Sequence, residues 1–135
     1  MANNSGFSLT GSVELKGKLK KLGSSSPLIA QIAAKSLYES SELVMTESKE
    51  IYCPIKTGAL KSTGHVDLPT IEGGNISVVM SYGGPAAPYA IFVHETDKHY
   101  NHGKQWKFLE TPLLQAQSKI QDKLIADYEE GLGNL

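Results

Sequence analysis

Five side chains able to bind a metal, His94, Glu95, Asp97, His99 and His102, fall close together in the sequence. Imidazole suits zinc or nickel, and three histidines with a carboxylate would complete a tetrahedral site. Their spacing, His94-x4-His99-x2-His102, matches neither the helical His-Glu-x-x-His pair nor a zinc-finger pattern. A solvated polar loop accounts for the same residues and is the preferred reading, with His94, His99 and His102 kept as the candidate ligands of a small metal-binding module or metal-dependent enzyme. Cys53 lies between Tyr52 and Pro54, where a helix should end. The negative pole of a helix raises a thiol's pKa, so an activated nucleophile is not expected there. The chain has no Gly-x-Ser-x-Gly elbow, and Gly83-Gly84 lacks the Lys-Ser/Thr of a phosphate loop. Glu129-Glu130 belongs to a solvated helix end. The expectation is a non-enzyme without a cofactor.

Aromatic and basic residues offer a second kind of chemistry. Trp106 and Phe108 stand beside Lys104 and Lys107, an arrangement that can stack on bases or pack on protein. Phe108 is read as a staple between the last helix and a sheet. Trp106, in a polar stretch, is read as a subunit contact, since large aromatics are enriched at interfaces; Tyr89 is placed with it. Lys16, Lys18, Lys20 and Lys21 stand against Glu14 alone and form either a solvated face or a phosphate-contacting patch. Near the other end, Asp122, Asp127, Glu129 and Glu130 outweigh Lys123, so the two ends carry opposite charge. All 13 basic residues are Lys, against 14 acidic ones, for a net charge of −1. Such a balance gives no overall field for capturing nucleic acid or anionic lipid. Without Arg the chain also lacks the forked donor best suited to phosphate or guanine edges. A single Cys allows no internal disulfide and no Cys-rich zinc module, and is compatible with a reducing compartment. No apolar run approaches the roughly 20 residues of a membrane span, and Met-Ala-Asn-Asn-Ser-Gly has no signal-peptide character. A small soluble intracellular domain is expected.

The elements that must position these residues follow from periodicity. At 135 residues the chain is long enough for one domain. It divides into a polar arm over 1–10, a single domain over 11–130 and a short tail over 131–135. Alternation over Gly11 to Lys16 predicts a strand, and Gly17 to Leu22 one helical turn. Ser26 can cap a helix that Pro27 begins. Leu28, Ile29, Ile32, Ala33, Leu37, Leu43, Val44 and Ile51 then predict an amphipathic helix of about 25 residues, which Pro54 ends. Thr63–Leu68 and Asn75–Tyr82 read as a strand pair turned by Pro69–Gly74. Tyr89–Glu95 reads as a third strand or a short buried segment. A last helix begins near Phe108–Thr111, with Pro112 in its first turn. Its stripe is Leu113, Ala116, Gln117, Ile120, Leu124 and Tyr128, and Gly131 and Gly133 mark its end. This order predicts an α+β fold, with a small, mainly antiparallel sheet packed by the long helix and the C-terminal helix.

Two strings in this order are specific. Pro54-Ile55-Lys56-Thr57-Gly58-Ala59-Leu60 follows the long helix, and Tyr89-Ala90-Ile91-Phe92-Val93-His94-Glu95 precedes Trp106-Lys107-Phe108-Leu109. Together they resemble the neck, tail-completion and tail-terminator proteins of long-tailed bacteriophages, over roughly residues 12–128. The pattern is Pro-x-x-Thr-Gly-x-Leu (Pro54, Thr57, Gly58, Leu60), then Tyr-Ala-x-x-Val-Glu-x-Gly (Tyr89, Ala90, Val93, Glu95), then Phe-Leu (Phe108, Leu109). In the second string His94 stands before the Glu, and Thr96-Asp97 follow where the pattern has Gly. The resemblance implies a structural virion protein of the head–tail junction, made in the host cytoplasm. It would form a homo-oligomeric ring, commonly a hexamer, between portal-side adaptor or neck proteins and the tail tube protein. Such a ring lets DNA pass with at most non-specific contact, and has no membrane partner. In that setting Lys16–Lys21 of one subunit would meet Asp122–Glu130 of its neighbour. The residues themselves add that Thr57 can cap a new turn and that Gly58 permits backbone that a side chain resists.

Overall fold

A computed structural model describes residues 27–72 and 75–133, together with the backbone of residues 7–12. In chain order these form β1 (Phe7–Ser12), α1 (Pro27–Glu47), a π-helical turn (Ser48–Tyr52), α2 (Ala59–Ser62), β2 (His65–Val66), β3 (Thr70–Glu72), β4 (Asn75–Tyr82), α3 (Ala90–Glu95), a 3-10 turn (Asn101–Gly103) and α4 (Glu110–Gly133). The fold is α+β, and among the described residues every strand pairing is antiparallel.

β4 organises the sheet. Ile76, Val78, Met80 and Tyr82 are buried and alternate with Asn75, Ser77, Val79 and Ser81, which gives the strand one apolar face. β1 runs along one edge, with Phe7 opposite Tyr82 and Ser12 opposite Ser77. β2 and β3 share the other edge: His65 is opposite Ser81 and Thr70 opposite Ser77. Between them the Asp67 amide donates to the Val79 carbonyl at 2.9 Å. The buried face meets α1, which also packs along α4. Removing a side chain the size of Met80 or Leu37 from water contributes about 1.5–3 kcal/mol. Gly64 lets α1 approach closely, because a Cβ there would lie 2.7 Å from Tyr82 Cε1 and 2.9 Å from Met45 Sδ.

α1 begins at Pro27 as predicted and buries Ile29, Ala33, Leu37 and Val44. Leu28, Leu43 and Ile51 of the predicted stripe are instead exposed, Leu43 at 66%. Neighbouring positions on a helix lie about 100° apart, so Leu43 and Val44 cannot both face the sheet. Gln117 of the α4 stripe is exposed for the same geometric reason. The last turn of the long helix widens to π geometry, closed by the Cys53 amide donating to the Ser48 carbonyl at 2.7 Å. Ser48 is thereby buried. Its hydroxyl donates to the Phe108 carbonyl at 2.5 Å and accepts from Tyr82 Oη at 2.7 Å.

The structure departs from the sequence reading at several elements. β1 starts at Phe7, inside the span read as an arm, and overlaps the predicted 11–16 strand only at Gly11 and Ser12. The rest of that strand, the 17–22 turn, the Ser26 cap and Lys16, Lys18, Lys20 and Lys21 lie outside the described residues. The predicted turn over Pro69–Gly74 contains β3, because Thr70, Ile71 and Glu72 pair with Ser77, Ile76 and Asn75. Tyr89–Glu95 is not a strand: Ala90–Glu95 is helical, with Ala90 and His94 buried one turn apart and Phe92 68% exposed. A short apolar run carries no period that separates the two structures. α4 extends to Gly133, into the residues read as a tail.

Replacing Ser48 by Ala removes the hydroxyl that joins the Tyr82 phenol to the Phe108 carbonyl. Urea denaturation should show a loss of about 1–3 kcal/mol for S48A, because the buried Phe108 carbonyl and Tyr82 phenol lose their shared partner. No measurable loss would show that Ser48 does not join the three elements.

Candidate functional site

The two strings singled out in the sequence meet on one surface. After the π-helical turn, Pro54 stops the helix and the chain turns at Gly58, whose φ of +85° is left-handed backbone that a side chain resists. Thr57 Oγ1 accepts from the Ala59 amide at 3.3 Å, a local turn bond ahead of the helix, whose cap position is Gly58, and Leu60 is buried. α3 brings Tyr89 and Val93 alongside this turn. The segment from Lys98 to Lys104 closes the third side, so that Pro54, Ile55, Leu60, Tyr89, Val93 and Tyr100 border one groove of about 910 Å³. Ile55 is 53% exposed and Tyr89 44%. Apolar side chains left open to water in this way mark contact surfaces more often than reactive centres.

Charge around the groove has one sign. Lys56, Lys98 and Lys104 line it and no carboxylate does. Lys104 Nζ donates to the Glu50 carbonyl at 2.6 Å, a basic group on the exposed carbonyls of a helix end. The Gln105 amide donates to the Tyr52 carbonyl at 2.9 Å, which fixes the 98–105 segment to the π-helical turn. Within that segment the Tyr100 amide donates to Lys104 O at 2.7 Å and the Trp106 amide to Lys98 O at 3.0 Å. Lys98 Nζ lies 5.0 Å from the Tyr100 ring centroid, within cation–π range. His102 sits at the tip with φ +62°, left-handed backbone that His adopts more readily than most residues.

The candidate ligands are not gathered into a metal site. Among the described residues no group of three or more His, Cys, Asp or Glu could hold an ion. His94 is buried with both ring nitrogens engaged. Nε2 accepts from the Glu110 amide at 3.3 Å, so Nδ1 carries the proton and donates to Glu95 Oε2 at 2.5 Å. Its ring also meets Phe108 edge to face at 5.0 Å. His99 and His102 are exposed in the neighbouring segment. Glu95 holds Lys107 Nζ at 2.7 Å on its other oxygen. His94, Glu95 and Lys107 therefore join α3 to the start of α4. Burial pushes the His94 pKa down against the opposing pull of Glu95. The Lys107 ammonium first, then the His94 ring, hold the Glu95 carboxyl below its usual range.

Cys53 is fully buried and its thiol is pushed up to about 12. The direction is the expected one, but the main cause is burial rather than the helix pole. Phe108 acts as the staple, edge-on to Tyr82 at 4.9 Å, with Leu109 buried beside it. Trp106 is half-buried, with Lys107 Nζ 5.5 Å from its ring. Asp122, Glu129 and Glu130 are exposed on α4, whereas Asp127 is held by Lys123 at 2.8 Å, and Lys123 reaches Glu39 of α1 at 3.0 Å. The groove residues Ile55, Lys56, Lys98, Tyr100 and Lys104 were not singled out by sequence as one site. Ile55 and Lys56 lie in the 54–60 string, but nothing in the sequence joined it to the 98–104 segment, because the two are far apart in the chain.

No protein-family profile matches the chain, and no curated protein or solved structure is significantly similar to it. No described helix is long and apolar enough to cross a membrane.

A base whose folded pKa lies below its unfolded value of about 6.5 stabilises the fold above that value. The contribution is lost as pH falls through 6.5 and on through the folded pKa, because the unfolded chain binds the proton more readily. Stability measured by urea denaturation should therefore fall more steeply between pH 7 and pH 5 for the wild type than for His94→Gln. Parallel slopes would remove His94 as the cause.

Proposed function

We propose that the protein is a structural component of the head–tail junction of a long-tailed bacteriophage. It would act as a neck, tail-completion or tail-terminator subunit in a ring, commonly a hexamer. One observation carries the reading: the two strings that resemble this family, 54–60 and 89–95, line the same groove although far apart in sequence. Their residues divide by role. Leu60, Ala90, Phe108 and Leu109 are buried and build the frame, while Ile55 and Tyr89 face water at its rim. A frame that presents an apolar and basic surface, beside an inert thiol, suits a part that works by contact.

In this role the ring lies between portal-side adaptor proteins and the tail tube protein, within the virion. DNA passes through without sequence-specific grips, which the absence of Arg favours. Tyr89 and Trp106 serve as contact residues. The acidic end of α4 faces a basic surface of the neighbouring subunit.

Electron microscopy of the purified protein at tens of micromolar and low salt should show rings with a central opening. Native mass spectrometry should give a multiple of the 14.6 kDa chain. Raising the salt should dissociate the rings, since contacts between exposed charges are screened. A protein that stays monomeric throughout is not a ring subunit.

A further inference from the structure

We infer that the groove receives the acidic outer face of α4 from a second copy of this chain, in a head-to-tail contact. The inference rests on the ring reading and names the two surfaces that would build the ring. The groove offers an apolar floor of Ile55, Leu60 and Val93, edged by Lys56, Lys98 and Lys104 and by no carboxylate. Its complement is present on the same chain. Asp122, Ile125 and Glu129 recur at three- and four-residue steps on α4, and all three are exposed; Glu130 turns instead toward Lys35 of α1. An apolar side chain flanked by acids on one helical face is what a basic-edged groove takes in helix-in-groove recognition. Asp127 plays no part, because Lys123 already neutralises it.

The two surfaces lie at opposite ends of the molecule. The groove belongs to the end where α4 begins, since the His94 ring of α3 accepts from the Glu110 amide. The acidic face lies about 20–30 Å further along α4 at 1.5 Å per residue. A molecule cannot fill its own groove with a rigid helix end pointing away from it. Two different surfaces meeting between copies make a heterologous contact, which closes into a ring when the rotation allows. A contact of groove against groove would instead set like charges together.

The test is a charge exchange followed by light scattering at low salt. K56E/K98E reverses the groove, and D122K/E129K reverses the helix face; all four side chains are exposed, and far-UV circular dichroism confirms that each variant folds. Each double variant alone should weaken assembly about tenfold or more, because like charges then face one another. The four-fold variant should recover assembly to near the wild-type level. Wild-type rings that neither double variant weakens would overturn this contact and leave the ring reading standing. A groove variant that weakens assembly while the helix variant does not would give the groove to another surface or partner, and also overturns it. A wild type that remains monomeric removes both.

Discussion

The buried hydroxyl of Ser48 holds three distant parts of the chain in one place. Its carbonyl closes the π-helical turn through the Cys53 amide, and its side chain joins Tyr82 on β4 to the Phe108 carbonyl ahead of α4. A π-helical turn contains one residue more than an α-turn of the same span, and such bulges recur at functional sites. Here the wider turn carries Ser48 inward and sets where the chain leaves the helix. Burial also raises the pKa of Tyr82, so the phenol stays protonated and donates across the physiological range. The polar chain from phenol to hydroxyl to carbonyl is therefore closed inside the core.

The groove inherits its shape from that junction. Pro54 to Leu60 emerge from the π-helical turn, α3 is fixed to α4 through His94, Glu95 and Lys107, and the 98–105 segment returns to Glu50 and Tyr52 by two hydrogen bonds. Each wall thus hangs on a different element that meets near Ser48 and Phe108. Phe108 lies edge-on to both Tyr82 and His94, so one ring contacts the sheet side and the α3 side together. An exposed apolar rim on so well-fixed a base loses little conformational entropy when a partner covers it, which is the condition for a preorganised contact surface.

What could be read from sequence follows the strength of each local signal. The long helix, its proline-limited ends and β4 were legible, because a 3.6 period and a strict alternation are each unambiguous over that length. α3 was not, since Tyr89–Glu95 is a short apolar run whose buried pair, Ala90 and His94, shows only once it is packed. β1 was hidden for another reason. Phe7–Ser12 is polar and small apart from Phe7 and Leu9, and it is a strand because β4 offers an open edge rather than by its own preference. The α1 and α4 stripes were read too wide at Leu43 and Gln117. At the site, Gly58, Thr57 and Phe108 could be assigned roles from local chemistry alone. The groove could not, because it joins residues near 55, 90 and 100 that only the tertiary fold brings together.

The distribution of charge matters more for this molecule than its sum. Copies of a strongly charged chain repel at every approach, whereas a net charge of −1 imposes almost no such barrier. In the proposed contact, the lysines edging the groove and the acids on the outer face of α4 would make approach orientation-dependent. Lysine suits this arrangement. Its ammonium is a point charge on a flexible stem, so it draws an acidic face into place without the fixed fork geometry of arginine. The apolar residues between the charges supply what screening by salt leaves untouched. In the proposed contact, orientation from charge and cohesion from apolar burial would be carried by the same two surfaces, with lysine as the only fixed cation of the chain.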